Sequence, residues 1–189
     1  MQAVTDEQLI ERVAGGDLSC LGSLFERHHR GVYQYCRQMT RDSMQAEDLV
    51  QDVFVKILRK AGSFRQQGSF KAWMFNIARN TALDHFRKTS RHCSEAPEPV
   101  MMEEHQVDHR TAEDVVAARQ DVQTVAQAMA TLPAMVREVI WLGRFEFDNY
   151  EELGVALNCK PATARVRMHR AMQQLHVACE AITGVPLDV

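Results

Sequence analysis

The 189-residue chain contains no run of about 18 apolar residues, so it carries no membrane-spanning signal. Its opening, MQAVTDEQLIERV, mixes charge with apolar side chains and lacks the hydrophobic stretch of a secretory leader. Cysteine is scarce: Cys20, Cys36, Cys93, Cys159 and Cys179 are odd in number and form no C-x-x-C pair. That argues against a disulfide framework and for reduced thiols in the cytoplasm. Nine glycines, five prolines and 7% aromatics favour helices over a sheet-rich fold. No segment alternates cleanly over more than about five residues, so strand signals are missing too. No glycine-rich phosphate loop, activated-nucleophile motif or paired-carboxylate pocket points to catalysis, and no catalytic residue is assigned. The metal-ligand candidates are His28-His29, and His105 with His109 at i,i+4, the latter with Cys93 or Glu104 as a further ligand. The second pair lies where helical periodicity is lost, and no metal or cofactor is expected.

What the chain does have is helical periodicity and unevenly placed charge. Hydrophobic residues make up 46%, enough for real cores. The net charge of −3 hides a division. Residues 1–92 carry 14 Lys/Arg against 10 Asp/Glu, residues 93–121 carry 2 against 8, and residues 122–189 carry 6 against 7. An acidic belt thus separates two parts that each contain a basic helix, a distribution compatible with a nucleic-acid partner.

Apolar spacing predicts helices over about 6–14, 20–39, 43–61 and 70–88, with Thr5 capping the first. In the third, Ala46, Leu49, Val50, Val53, Ile57 and Leu58 form one stripe. A second set is expected over about 112–131, 133–145, 149–157 and 161–179. Between the sets, EAPEPVMMEEHQVDH has two prolines, five acids and no stripe. It reads as a flexible linker, the contrary reading being a short docked helix through Val100-Met101-Met102. The expected fold is therefore all-α, with two small helical domains, 1–92 and 112–189, joined by a flexible acidic linker over 93–111.

KPATARVRMHRAMQQL, Lys160–Leu175, holds four Lys/Arg and no acid in a chain that is acidic overall. On a helical wheel Ala164, Met168, Ala171 and Leu175 fall together as a packing face. Ala162, Arg165, Val166, His169, Arg170 and Gln173 occupy the opposite arc, flanked by Thr163 and Arg167. YEELGVAL precedes this helix after a connection of a few residues, which is helix-turn-helix spacing. Arginines on the exposed arc suit guanine edges in a major groove, and Val166 suits a thymine methyl. A solvated basic face is the bland alternative, weakened by the tight turn and the lack of acids. A second basic helix, IARNTALDHFRKTSRH, follows a loop containing Phe64, Arg65 and Gln67. Polar and aromatic residues beside basic ones suit unstacked bases and a phosphate backbone. Trp73 sits on the apolar stripe and reads as core.

Three segments together, AEDLVQDVFVKIL, GSFKAWMFNIARNTALDHFRK, and LPAMVREVIWL followed by YEELGVALNCKPATARVRMHRAMQQL, resemble a bacterial sigma factor of the extracytoplasmic-function group. The likeness covers nearly the whole chain. It implies a non-enzymatic factor that binds core RNA polymerase and directs promoter-specific initiation. Glu47, Asp48, Gln51 and Asp52 would meet the polymerase clamp helices. Ser63, Phe64, Arg65, Ser69, Lys71, Asn76, Arg79, Asn80, Arg87 and Lys88 would serve the −10 element, the loop from Ser63 to Ser69 holding a flipped-out base. Arg165, Val166, His169 and Arg170 would meet the −35 major groove, with Arg137 and Thr163 on phosphates. Implied partners are core polymerase, through its clamp helices and flap, promoter DNA, and an anti-sigma factor that in some cases is membrane-bound; no direct membrane insertion is implied. The linker would pass through a polymerase channel.

Departures from the family pattern are Gly154 for Ala, expected to loosen the first helix of the motif, Ala164 for Val, and Val166 for Ser. A stand-alone helix-turn-helix regulator explains the last helix equally well but leaves the basic fourth helix unexplained. A metal-binding sensor is the third reading. The isolated chain is expected to bind promoter DNA poorly, because the acidic belt competes for the basic helices.

Overall fold

Local capping chemistry sets the helix starts. In the computed structural model, which describes residues 4–65, 68–89 and 112–184, every regular element is helical. Helix α1, Asp6–Ala14, begins at Thr5, whose hydroxyl accepts from Gln8 N–H while the Gln8 side chain reaches back to the Thr5 amide. Helix α2 spans Ser19–Thr40. Helix α3, Ser43–Lys60, is capped by Asp42, which accepts from Gln45 N–H at 3.0 Å. A single 3₁₀ turn, Ala61–Ser63, leads toward α4, Phe70–Thr89. The C-terminal set is α5, Ala112–Thr131, α6, Ala134–Trp141, α7, Tyr150–Ala156, and α8, Pro161–Thr183. None of these helices is long and apolar enough to cross a membrane. The linker reading over 93–111, its Val100–Met102 alternative and the His105/His109 pair lie outside the described residues.

Three expectations need correction. Leu58 is exposed, and Phe54 takes its place on the buried stripe of α3. The helix expected over 133–145 is α-helical only to Trp141, then widens into a π turn over Leu142–Glu146. That turn delivers Glu146 and Phe147 onto α4. Helix α8 runs past Cys179, which stays buried, to a left-handed cap at Gly184.

Helices α1 to α4 enclose one core around Leu24, Tyr35, Leu49, Ile57, Phe70, Met74 and Phe75, all at most 2% exposed. The C-terminal core gathers Leu142, Leu153, Leu157, Ala164 and Ala171 under α8. The two modules then meet along a seam, α6 against α2 and α7 against α4. Phe147 packs edge-on against Phe75, which packs the same way against Tyr35. Glu138 on α6 is 1% exposed. It accepts from the Tyr35 hydroxyl at 2.8 Å and from Arg79 Nε at 3.2 Å. Arg137 beside it donates to the carbonyls of Gln38, Met39 and Leu132, closing the C-terminal end of α2. Arg41, in the left-handed cap of α2, donates to Ala130 O.

The turn between α7 and α8 is a Schellman motif. Asn158 sits at φ 51°, its N–H bonds Val155 O, and the Cys159 N–H bonds Gly154 O at 2.8 Å. This brings the turn so close that a Cβ on Gly154 would stand 2.8 Å from Cys159 O and 3.3 Å from Pro161 N. Glycine here tightens the helix-turn-helix, contrary to the expected loosening. Gly22 on α2 is the opposite case, exposed and with nothing within 4 Å of its Cβ position.

The same substitution should therefore have opposite signs at the two glycines. Gly22→Ala is expected to raise the unfolding free energy by about 0.5–1 kcal/mol through helix propensity. Gly154→Ala is expected to lower it, because crowding of about 1–3 kcal/mol exceeds that gain. Urea denaturation of both variants checks the pair. Arg137→Met, which leaves three carbonyls without their donor, is expected to lose about 2–3 kcal/mol in the same assay.

Candidate nucleic-acid interface

Helix α8 presents its predicted arc to solvent. Ala164, Met168, Ala171 and Leu175 are buried, while Thr163, Arg165, Val166, Arg167, His169 and Arg170 are exposed. Pro161 occupies the first turn, which contains no acid, so the positive end of the helix dipole adds to the arginines. Tyr150 at the start of α7 lies under the Arg165 guanidinium, 5.9 Å from ring to carbon. That contact orients Arg165 across the motif, and the sequence reading missed it. An aromatic residue at the first position of the leading helix was the available signal.

Arg137 is not with this group. It was expected on phosphates, but it is 7% exposed and committed to carbonyls. Burial, with nearby Arg41, pulls its pKa down to about 10, so it remains cationic at neutral pH. Its neighbour Glu138 was also missed. The Arg-Glu pair inside the apolar run LPAMVREVIWL was its signal, since two adjacent charges in such a run need partners. Burial first, and the Glu138 charge second, hold the Tyr35 hydroxyl well above its ordinary pKa, so it stays a donor.

Helix α4 divides its candidates. Asn80, Arg87 and Lys88 are exposed. Asn80 donates to Asn76 Oδ1, and Arg87 pairs with Asp84 at 3.4 Å. Lys71, Asn76 and Arg79 lie on the side covered by the C-terminal module. Lys71 pairs with Glu146 at 2.8 Å and donates to its carbonyl. Asn76 donates to Val155 O at 3.0 Å and Ala156 O at 3.4 Å. Arg79 binds Glu138.

In the preceding loop, Ser63 and Arg65 are exposed, while Ser69 caps α4 by accepting from Ala72 N–H. Phe64 is half-buried, edge-on to Trp73 at 5.4 Å and Phe70 at 6.2 Å. It therefore supports the loop from beneath. Gln67 lies outside the described residues.

On α3, Glu47, Asp48, Gln51 and Asp52 are all exposed. Met44, Val55 and Leu58 are exposed among them, so Met44, Asp48, Gln51, Val55 and Leu58 form a stripe with alternating four- and three-residue steps. Such a seam suits another helix. His28 is engaged by Asp6 at 2.6 Å, and His29 stacks on Phe25.

Comparisons with known proteins agree with this layout. A family model for Sigma-70 region 2 matches residues 24–92. The RNA polymerase sigma-H factor of Pseudomonas aeruginosa is 27% identical over 94% of this chain and 95% of its own length. The ECF RNA polymerase sigma factor SigM of Mycobacterium tuberculosis is 31% identical over 91% of this chain and 87% of its own. Among solved structures, CnrH in complex with the cytosolic domain of CnrY superposes with a TM-score of 0.67 at 25% identity, over 93% of this chain and 97% of that one. RpoE from Bartonella quintana, in complex with the anti-sigma factor NepR, has the same fold, with a TM-score of 0.62 at 24% identity, over 84% and 96%. With the helix-turn-helix, the basic fourth helix and a relative this similar over most of both chains, the protein belongs to the ECF sigma factors of bacterial RNA polymerase.

Proposed function

We propose that this chain binds core RNA polymerase in the cytoplasm and directs initiation through two DNA-reading modules, residues 1–92 for the −10 element and 112–189 for the −35 element. It performs no catalysis of its own. The exposed, acid-free face of α8 behind its tight turn carries this reading. Arg165 and Arg170 pair with base edges, Val166 and His169 contact the groove floor, and Thr163 lies on the backbone. Helix α4 and the loop before it take the unpaired −10 strand, with Arg65, Lys71, Asn76, Arg79, Asn80, Arg87 and Lys88 along its path. The mixed acidic and apolar stripe on α3 suits the polymerase clamp helices. A shallow groove between α6 and α8, lined by Met135, Val139 and Ala171, suits an apolar segment of the flap. Solved relatives bound to CnrY and to the anti-sigma factor NepR support control by an anti-sigma factor.

Run-off transcription with core polymerase on a genomic library tests the reading. Each base-contacting arginine is worth about 1–3 kcal/mol. Arg165→Ala with Arg170→Ala should therefore reduce initiation by at least about tenfold at the start sites that the wild type uses. Unchanged initiation at every site would refute the assignment. Asp48→Lys should abolish co-purification with core polymerase while shifting stability by no more than about 0.5 kcal/mol, as expected of an exposed position. A stand-alone regulator would bind DNA and ignore polymerase in both assays.

A further inference from the structure

Helix α1 precedes residues 24–92, the stretch that the Sigma-70 region 2 model matches. It nevertheless holds both ends of the loop before α4. At the entry, the 3₁₀ turn Ala61–Ser63 packs on α1 and buries Ala61. At the exit, Glu7 Oε1 accepts from the Phe70 N–H at 3.1 Å, across 63 residues of sequence. Phe70 is the first residue of α4, so that N–H has no partner within its own helix. Ser69 accepts from the Ala72 N–H beside it. Together the two side chains close the start of α4, where a carboxylate also suits the positive end of the helix dipole.

Helix α1 is itself pinned. Asp6 bonds Arg27 and His28 of α2, each at 2.6 Å, and Arg27 also donates to Val4 O. The His28 ring lies 5.5 Å from that of Phe70, and Phe70 supports Phe64 of the loop. Phe64 N–H bonds Ala61 O, and Gly68 N–H bonds Arg65 O. The described loop residues therefore stand as one unit on α1, with Glu7 as the polar tie at the exit.

We propose that Glu7 is a positioning residue for promoter opening: through the Phe70 amide it fixes the loop that accepts the flipped-out base, without touching DNA. The proposal rests on the reading that this loop takes the unpaired −10 strand. Base capture has to offset the unstacking of that base. A loop already held in shape binds without first losing its conformational freedom. Charge alone argues the opposite sign. Phe70 stands between Ser69 and Lys71, so an acid bonded there repels a nearby phosphate, and its removal would help DNA.

Glu7→Ala and Glu7→Gln can be compared with wild type as holoenzymes on a promoter recovered by run-off transcription. The measurements are closed-complex affinity and the rate of strand opening, followed by permanganate reactivity of unpaired thymines. Opening is repeated on templates with each −10 position varied over the four bases. Glu7→Ala is expected to slow opening by about tenfold, the worth of one charge-assisted hydrogen bond, and to flatten the base preference. Closed-complex affinity and polymerase binding should stay at the wild-type values. Glu7→Gln keeps an acceptor oxygen and is expected to restore opening to within about threefold.

Wild-type opening and base preference in Glu7→Ala overturn the proposal. So does an equal change in both variants, which would leave charge as the cause. Weaker closed complexes with base preference intact also overturn it, since simple loss of stability gives that pattern. Ser63→Ala with Arg65→Ala separates the two failures. If this loop variant also opens and discriminates as wild type does, the assignment of the loop falls. If it loses both properties while Glu7→Ala loses neither, only the role of Glu7 falls.

Discussion

A carboxylate removed from water must find donors for its oxygens, and Glu138 finds them on two different helices. Desolvating an ion costs several kcal/mol even after relaxation, so an unpaired Glu138 could not persist at this depth. Tyr35 on α2 and Arg79 on α4 supply the partners. Because Glu138 sits on α6, this one carboxylate ties three helices from both halves of the chain. Arg137 alongside it closes the end of α2, and the π turn that follows brings Glu146 and Phe147 down on α4. The mutual position of the modules follows from satisfying these groups.

The two surfaces proposed to read DNA are built on different principles. Helix α8 stands on a rigid support: small buried residues on one side, a Schellman turn at its start, and Tyr150 beneath Arg165. The residues proposed to read bases are exposed on it. Helix α4 is apolar over much of its circumference, burying Phe70, Met74, Phe75, Ile77 and Ala78, and its polar side chains occupy what remains. That narrow polar strip is where α7 packs. One proposed surface therefore lies on a free helix and the other on a helix that also serves core and seam.

Much of this was legible in sequence because it follows helical periodicity and capping. The all-α class, the Thr5 cap, the start of α5 at Ala112 and the buried face of α8 came from short-range patterns that the chain obeys locally. The exposure of the α8 arc followed from the same wheel. The failures share a cause: each depends on a contact that exists only in the folded chain, whether its partner is near or far in sequence. Arg137 resembled a surface cation until the carbonyls of α2, about a hundred residues earlier, were placed beside it. Gly154 appeared to be a weak point because the Cys159 carbonyl that excludes a methyl there is a feature of the folded turn.

Several seam contacts are made to the main chain. Asn76 addresses the carbonyls of Val155 and Ala156, Arg137 those of Gln38 and Met39, and Arg41 that of Ala130. A carbonyl is present whatever the side chain, so these acceptor positions can drift during evolution without weakening the joint. A genetic search for seam mutants should therefore yield donors and the two glutamates, and pass over most of the residues that receive them.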